Sequence, residues 1–113
     1  MNLDRVANVL NAEILLKSAN WEHVDVEYAC GSDLISDVLA FVKNKTILLT
    51  GLTNTQLIKT VQVLDIPAIV FVRGKRPSEE FIEAAKQIGL PILLTNYTMY
   101  VACGLLYKAG LKG

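Results

Sequence analysis

Three segments of the chain repeat one pattern: a short apolar run, a polar loop and then a helix-forming stretch. The apolar runs occupy residues 46–50, 68–72 and 91–95, and polar residues hardly interrupt them. Unbroken runs of Ile, Leu and Val are typical of strands that are buried on both faces, as in parallel sheets. Strand–helix–strand units of this length join parallel neighbours through right-handed crossovers. The pattern therefore predicts an α/β fold, with helices on both faces of a mostly parallel sheet.

The N-terminal third of the chain carries weaker signals for two further strands. Residues 12–16 form a candidate strand after a short helix at residues 3–10, and residues 24–30 alternate apolar and polar side chains. These two strands either pair as a hairpin or join the parallel sheet at one edge, and we favour a mixed sheet. Residues 1–113 then make one domain with about five strands in a Rossmann-like, three-layer arrangement.

Polar residues that can accept hydrogen bonds from first-turn amides precede most of the predicted helices. Ser32 or Asp33 is predicted to cap one helix, and Thr53 with Gln56 fits a capping box at the start of the next. Ser78 is placed to cap the third helix, which ends before Gly89. The helices are predicted to open at residues 31–33 and run to residue 42, and to span residues 54–64, 79–88 and 97–108.

The loops after the three apolar runs concentrate small, polar and basic residues. In parallel sheets, ligands bind where the carboxyl ends of the strands open onto such loops. Residues 73–76 place three cations around a glycine, where a phosphate would meet guanidinium donors, backbone amides and a helix N-terminus. The alternative interpretation is a solvated basic loop beside the glutamates of the next helix. The predicted ligand-binding residues are Gly51, Thr53, Asn54, Arg73, Gly74, Lys75, Thr95 and Asn96.

Catalytic and metal sites find little support in the sequence. Asp33 and Asp37 lie four residues apart and could hold a metal or transfer protons, but a helix cap and a solvated helix face explain them better. His23 is the only histidine, and we expect it in a surface loop. Cys30 and Cys103 lack metal-ligand spacing and are expected to be reduced thiols. Neither GxxxxGK[ST] nor GxGxxG is present, so we expect a non-enzyme with no metal and no cofactor.

The composition points to association with other protein subunits. The formal net charge is zero, which gives no electrostatic reason to bind nucleic acid or an anionic membrane. Charged residues make up only 19% of the chain, against about 25% in typical soluble domains. We therefore expect a homo-oligomer, most simply a dimer, that buries part of the apolar last helix. The predicted interface residues are Tyr97, Tyr100, Val101 and Leu105.

The N-terminal residues show no signal peptide, because no basic region leads into an apolar core. The apolar runs are also much shorter than the roughly 20 residues that span a bilayer. A cytoplasmic location is the resulting expectation.

Three motifs resemble the small stand-alone DRTGG-domain proteins: GSDLISDVLA at residues 31–40, GKRP at residues 74–77 and GLPIL at residues 89–93. The similarity covers nearly the whole chain. This family is similar to the N-terminal domain of HPr kinase/phosphorylase and to modules of phosphotransacetylases and CBS-containing pyrophosphatases. The resemblance implies a non-catalytic regulatory module that self-associates and senses a nucleotide or other phosphorylated metabolite. The alternative is a purely structural interaction module that acts on a separate partner enzyme.

The residues that give the family its name are replaced in this chain. The family pattern has Asp-Arg after one strand and Thr-Gly-Gly after the next. Here Leu52 and Thr53 occupy the first position, and residues 72–74 occupy the second. The resemblance therefore implies that Arg73 and Lys75 would supply the cations of a ligand site in a different way.

Overall fold

The computed structural model describes all residues, from Met1 to Gly113. It contains five strands, five α-helices and one short 3-10 turn. In chain order the elements are α1 (Leu3–Val9), β1 (Glu13–Leu16), the 3-10 turn (Trp21–His23), β2 (Tyr28–Gly31), α2 (Ile35–Phe41), β3 (Thr46–Thr50), α3 (Gln56–Leu64), β4 (Ile69–Phe71), α4 (Glu79–Gln87), β5 (Ile92–Leu94) and α5 (Met99–Ala109).

The strands form one mixed sheet in the order β1-β5-β4-β3-β2. Strands β2 to β5 are parallel to one another, and β1 pairs antiparallel with β5, with Glu13 opposite Leu94. The prediction of a mostly parallel, mixed sheet of about five strands is confirmed. The two N-terminal strands lie at opposite edges of this sheet, so the hairpin interpretation is wrong.

Helices cover both faces of the sheet. Helices α2, α3 and α4 connect β2 to β3, β3 to β4 and β4 to β5, so each connection moves one strand further in the same direction across the sheet. Because such crossovers are right-handed, all three helices lie on one face. Helices α1 and α5 cover the other face. The core is accordingly split into two apolar clusters, one on each side of the sheet. None of the helices is long and apolar enough to cross a membrane.

The central strands supply side chains to both clusters, which explains their unbroken apolar sequence. In β3, Leu48 faces the α2–α4 side while Ile47 and Leu49 face the α1–α5 side, and all three are fully buried. The Phe71 ring of β4 meets the Phe81 ring of α4 edge-to-face, with 5.4 Å between the ring centroids. This contact holds α4 against the sheet and so fixes the loop between β4 and α4.

The alternation of apolar and polar residues at positions 24–30 reflects burial of the apolar side chains, and only its last part belongs to a strand. Of residues 24–30, only the last three lie within β2, which begins at Tyr28. Val24 and Val26 are buried in the core without belonging to a strand, and the Val26 amide donates to the Met1 carbonyl. The predicted strand therefore started too early.

Two of the predicted helix caps are wrong, and one is confirmed. Helix α2 begins only at Ile35 and has no side-chain cap, because the Ser32 hydroxyl instead accepts a hydrogen bond from the Leu34 amide in the preceding turn. Helix α3 likewise has no side-chain cap, so the Thr53 capping box does not form. Ser78 does cap α4, accepting a hydrogen bond from the Phe81 amide at 3.2 Å.

Candidate ligand site at the carboxyl edge of the sheet

The parallel arrangement of β2 to β5 brings four loops to one edge of the sheet. These loops are residues 32–34, 51–55, 72–78 and 95–98, and they include every predicted ligand-binding residue. The loops touch one another at two glycines. A Cβ added at Gly51 would overlap the Arg73 guanidinium, and one added at Gly74 would lie 2.9 Å from the Asn96 side-chain oxygen. Both glycines therefore permit close contacts between neighbouring loops.

Arg73 forms an ion pair with a residue that the sequence assigned to another role. Its Nη2 atom donates to Oδ2 of Asp33 at 3.2 Å, and both side chains remain partly exposed, at 39% and 45%. The other carboxylate oxygen, Oδ1, accepts hydrogen bonds from the Gly51 amide at 2.6 Å and the Thr50 hydroxyl at 3.3 Å. Asp33 thus joins the loop after β2 to the ends of β3 and β4.

These contacts hold the pKa of Asp33 below its usual range. The hydrogen bond from the Gly51 amide is the largest cause, and the Arg73 guanidinium adds to it while partial burial works against it. Asp33 neither caps α2 nor pairs with Asp37. The side chain of Asp37 is exposed and forms no hydrogen bond. One available signal was that Asp33 follows β2 directly and so lies at the same sheet edge as Arg73.

Three backbone amides of the basic loop are used in internal hydrogen bonds. Arg73 and Gly74 both adopt left-handed conformations, with φ of +56° and +64°. The Arg73 amide donates to the Tyr97 carbonyl at 2.8 Å, and the Gly74 amide donates to the Thr95 carbonyl at 2.9 Å. The Lys75 amide donates to the Val72 carbonyl at 3.0 Å. A phosphate cannot also bind these three amides, which leaves the side chains and the Arg76 amide as the free donors of this loop.

The start of α4 is also a poor anion site. Ser78 already caps it, and Glu79 and Glu80 fill its first turn with negative charge. Arg76, before this helix, donates to Glu13 of β1 at 2.8 Å. Lys75 forms no ion pair and no side-chain hydrogen bond, and it is exposed.

The loop that leads into α3 offers unused donors. The amides of Thr53, Asn54 and Thr55 have no protein acceptor, and α3 has no side-chain cap. They follow Gly51, which lies against the Arg73 guanidinium. Free loop amides near a guanidinium are chemically suited to binding an anion such as a phosphate group.

The side chain of Thr95 is used inside the protein. Thr95 is only 1% exposed, and its hydroxyl donates to the Leu10 carbonyl at 2.8 Å. The same hydroxyl accepts a hydrogen bond from the Tyr97 amide at 3.2 Å. Of the two residues predicted from this loop, Asn96 is the exposed one.

No other arrangement of reactive side chains is present. No three His, Cys, Asp or Glu side chains are grouped closely enough to hold a metal ion. Cys30 and Cys103 are free thiols, and burial raises the pKa of each above its usual value. Both thiols are therefore protonated near neutral pH, which is unfavourable for a nucleophile. His23 is exposed, in the 3-10 turn.

None of the three main surface cavities is lined by residues of the four loops at the carboxyl edge. One of about 360 Å³ lies at the opposite edge, between the ends of α3 and α4, and includes Asp65 and Gly89. A second, of about 480 Å³, lies near the N-terminus and the end of α5. The third, of about 610 Å³, is an apolar groove on the outer face of α5. Its lining residues are Met99, Tyr100, Cys103, Gly104 and Tyr107.

The predicted interface residues differ in their exposure. Tyr100 is 88% exposed, while Val101 and Tyr97 are exposed to a lesser degree. Leu105 is partly buried and packs against the core cluster below α5. The outer face of α5 therefore presents Tyr100 and Tyr107 to the surroundings, and its inner face holds the helix on the sheet through Ala102 and Leu106.

The mixed sheet, its flanking helices and the loops at its carboxyl edge define an α/β domain. A family model described as the DRTGG domain matches residues 5–109, so the chain belongs to the DRTGG-domain family, as its sequence motifs predicted. No curated protein sequence matches the chain.

A solved structure with the same fold contains the CBS and DRTGG domains of the regulatory region of Clostridium perfringens pyrophosphatase, complexed with its activator, diadenosine tetraphosphate. The TM-score is 0.70 with 17% sequence identity. The alignment covers 97% of this chain and 47% of that one, so this chain spans about half the length of the pyrophosphatase region.

Proposed function

We propose that this chain is a non-catalytic regulatory module that binds a phosphorylated ligand, such as a nucleotide, at the carboxyl edge of its sheet. The observation that carries the proposal is the position of the Arg73 guanidinium beside Gly51, at the start of the loop that carries the free amides of Thr53, Asn54 and Thr55. Together they offer a fork of charged donors and a set of free backbone amides. Lys75 adds a cation that no acidic side chain neutralises.

A nucleotide is the first ligand class to test. The pyrophosphatase region with the same fold includes a DRTGG domain and was solved with a dinucleotide activator. That likeness supports the choice of probe, while the residues of this chain supply the reason to place the phosphates near Arg73. Suitable probes are ATP, ADP and diadenosine tetraphosphate, with adenosine as the control that lacks phosphate.

The test is isothermal titration calorimetry on the wild type and on the Arg73→Ala/Lys75→Ala double variant. We expect the wild type to bind at least one phosphorylated probe and the double variant to lose that binding while keeping its circular dichroism spectrum. Arg76→Ala is the matched control, because it removes a cation of the same loop that is already paired with Glu13. Unchanged affinity in the double variant would overturn the proposal.

We also propose that the module self-associates through the outer face of α5. The groove there is apolar, and it is flanked by Tyr100 and Tyr107, which are 88% and 60% exposed. Large exposed aromatic side chains that line an apolar groove are typical of protein interfaces. We expect a homodimer in which Tyr97, Val101 and part of Leu105 lie at or near the contact.

Association is tested by native mass spectrometry and light scattering across micromolar concentrations. We expect Tyr100→Glu to shift the wild-type dimer to monomer. Val63→Glu is the control, because Val63 is 76% exposed on α3, on the opposite face of the molecule. A wild type that stays monomeric throughout this range contradicts the proposal.

A purely structural interaction module on a separate partner enzyme is the second candidate. It is favoured by the lining of the main cavities, because none is lined by the loops at the carboxyl edge and the largest is the apolar groove on α5. It predicts association through α5 with no binding of any phosphorylated probe. The calorimetry described above separates the two candidates.

A further inference from the structure

The carboxylate of Asp33 lies among donors that would suit a bound phosphate. It accepts hydrogen bonds from the backbone amide of Gly51 at 2.6 Å, the hydroxyl of Thr50 at 3.3 Å and the guanidinium of Arg73 at 3.2 Å. A backbone amide at the end of a parallel strand, a hydroxyl and an arginine are a common donor set for anions in α/β folds. One acidic side chain of the protein therefore occupies the donors that an anionic ligand would use.

The segment that carries Asp33 contributes little to the core, although the Ser32 amide donates to the Leu49 carbonyl at 3.0 Å. It lies between the end of β2 and the start of α2, where Leu34 provides no side-chain cap. Only Val38 of α2 is fully buried, and the Asp33 side chain itself is 45% exposed. Moving Asp33 would therefore disturb little of the core.

The other donors nearby remain free. The Thr53, Asn54 and Thr55 amides have no protein acceptor, and Lys75 has no ion-pair partner. A ligand phosphate that displaced the carboxylate would gain these groups in addition to the Gly51 amide and Arg73. A phosphate group carries more negative charge than a carboxylate, which strengthens each of these contacts.

We propose that Asp33 is an internal anion mimic that blocks the ligand site, and that a phosphorylated ligand binds by displacing it from Gly51 and Arg73. The inference rests on the proposed function, since it concerns the same sheet edge. It also accounts for the lack of a main cavity lined by these loops, because Asp33 and Arg73 close over the end of β3. Ligand binding would then release the segment at residues 32–34, which leads into α2, and so change the surface on that side of the sheet.

The test compares ATP and inorganic pyrophosphate binding by the wild type, Asp33→Ala and Asp33→Asn. Asp33→Ala removes the competing carboxylate, so we expect affinity to rise by up to about fivefold, which is the most that an exposed ion pair is usually worth. Asp33→Asn keeps an oxygen that can accept from the Gly51 amide, so we expect a smaller rise. The Asp33→Ala/Arg73→Ala variant should lose the gain.

Asp37→Ala is the matched control for long-range charge. Asp37 is exposed, carries the same charge four residues further along and has no partner to release. An equal gain in affinity in Asp37→Ala would mean that only the net charge matters, and this result would overturn the proposal that Asp33 is an anion mimic. A lower affinity in Asp33→Ala would show that Asp33 positions Arg73 for the ligand, which also overturns it.

The failure of this inference can be told from the failure of the proposed function. If the wild type binds ATP through Arg73 and Lys75 but Asp33→Ala gives no gain, only the mimic is overturned. If neither the wild type nor folded Asp33→Ala binds any phosphorylated probe, both are overturned. Amide chemical shifts of Ser32, Leu34 and Gly51 give a second readout, because displacement of Asp33 by pyrophosphate should move all three, whereas binding elsewhere should not.

Discussion

The guanidinium of Arg73 donates to the carboxylate of Asp33 at 3.2 Å, and this contact ties the loop after β4 to the loop after β2. Strand β3 lies between those two strands, so the ion pair bridges over its end. Gly51 follows β3 at that point and lies directly against the guanidinium. The absence of a side chain at Gly51 is therefore what allows Arg73 and Asp33 to meet.

Gly51→Ala should separate the two charged groups. The added methyl would overlap the guanidinium of Arg73 and lie 3.3 Å from the carboxylate of Asp33. We expect the pKa of Asp33 to rise towards its ordinary value of about 3.9, measured by NMR titration of its carboxyl carbon. The free energy of unfolding should fall by only about 1 kcal/mol or less, because the displaced pair is exposed.

Gly89→Ala is the control for this prediction. Gly89 has a φ of +68° and nothing within 4 Å of an added Cβ, so the substitution strains the backbone far from the carboxyl edge. It should lower stability without changing the titration of Asp33. An unaltered Asp33 pKa in Gly51→Ala would show that the ion pair tolerates the methyl group.

Acid should destabilise the protein partly through Asp33. Its pKa is lower in the folded protein, chiefly because of the hydrogen bond from the Gly51 amide, so the unfolded chain binds more protons between the folded and unfolded pKa values. The contribution of Asp33 is then fully present above about pH 4 and is lost as the pH falls through the folded pKa.

Urea unfolding at several pH values measures this loss. Asp33→Asn should show a shallower decline in stability below about pH 4 than the wild type. Some decline should remain, because a hydrogen bond from the N-terminal ammonium also lowers the pKa of Asp25. Parallel curves for the wild type and Asp33→Asn would mean that the Asp33 contacts do not persist in solution.

Thr95→Val should be strongly destabilising although it conserves shape. The buried hydroxyl links the Leu10 carbonyl to the Tyr97 amide, and valine would leave both without that partner. We expect a loss of about 1–3 kcal/mol in the free energy of unfolding, measured with urea. Thr95→Ser retains the hydroxyl and should lose clearly less. Equal losses in the two variants would mean that the hydroxyl contributes no more to stability than the methyl group does.

The sequence was sufficient for the centre of the fold because burial on both faces leaves a clear pattern. The runs at β3, β4 and β5 have no polar face to interrupt them, and the helices between them follow from the topology. The edge strands were harder to place, because half-buried segments show the same alternation in sequence whether or not they pair with a neighbouring strand. Val24 and Val26 are buried beneath other elements and gave a strand-like alternation outside any strand.

The location of the candidate site was also predictable, but its internal contacts were not. Carboxyl ends of parallel strands share one edge, so loops containing Gly51, Arg73 and Asn96 had to be neighbours. The pairing of Asp33 with Arg73 joins residues 40 positions apart, and the Thr95–Leu10 hydrogen bond joins residues 85 apart. Such contacts depend on side-chain directions and loop conformations, including the left-handed Arg73, that no local pattern encodes.

Gly104→Ala should stabilise the monomer and weaken its association into a dimer. Gly104 lies inside α5, and an added Cβ would meet nothing within 4 Å, so the fold gives no steric reason for a glycine. Alanine should therefore raise the free energy of unfolding of the monomer by about 0.5–1 kcal/mol through helix propensity. If α5 packs closely on a second copy through the apolar groove, the same methyl should weaken the dimer.

Thermal unfolding and light scattering over a range of protein concentrations separate the two effects. At low concentration, where monomer dominates, Gly104→Ala should melt at a higher temperature than the wild type. At high concentration this advantage should shrink, because the wild type gains stability from association by mass action and the variant gains less. If the increase in melting temperature stays constant with concentration and the dimer is unchanged, Gly104 does not lie at the interface. Tyr100 and Tyr107 would then form the interface without a close approach of the two helices.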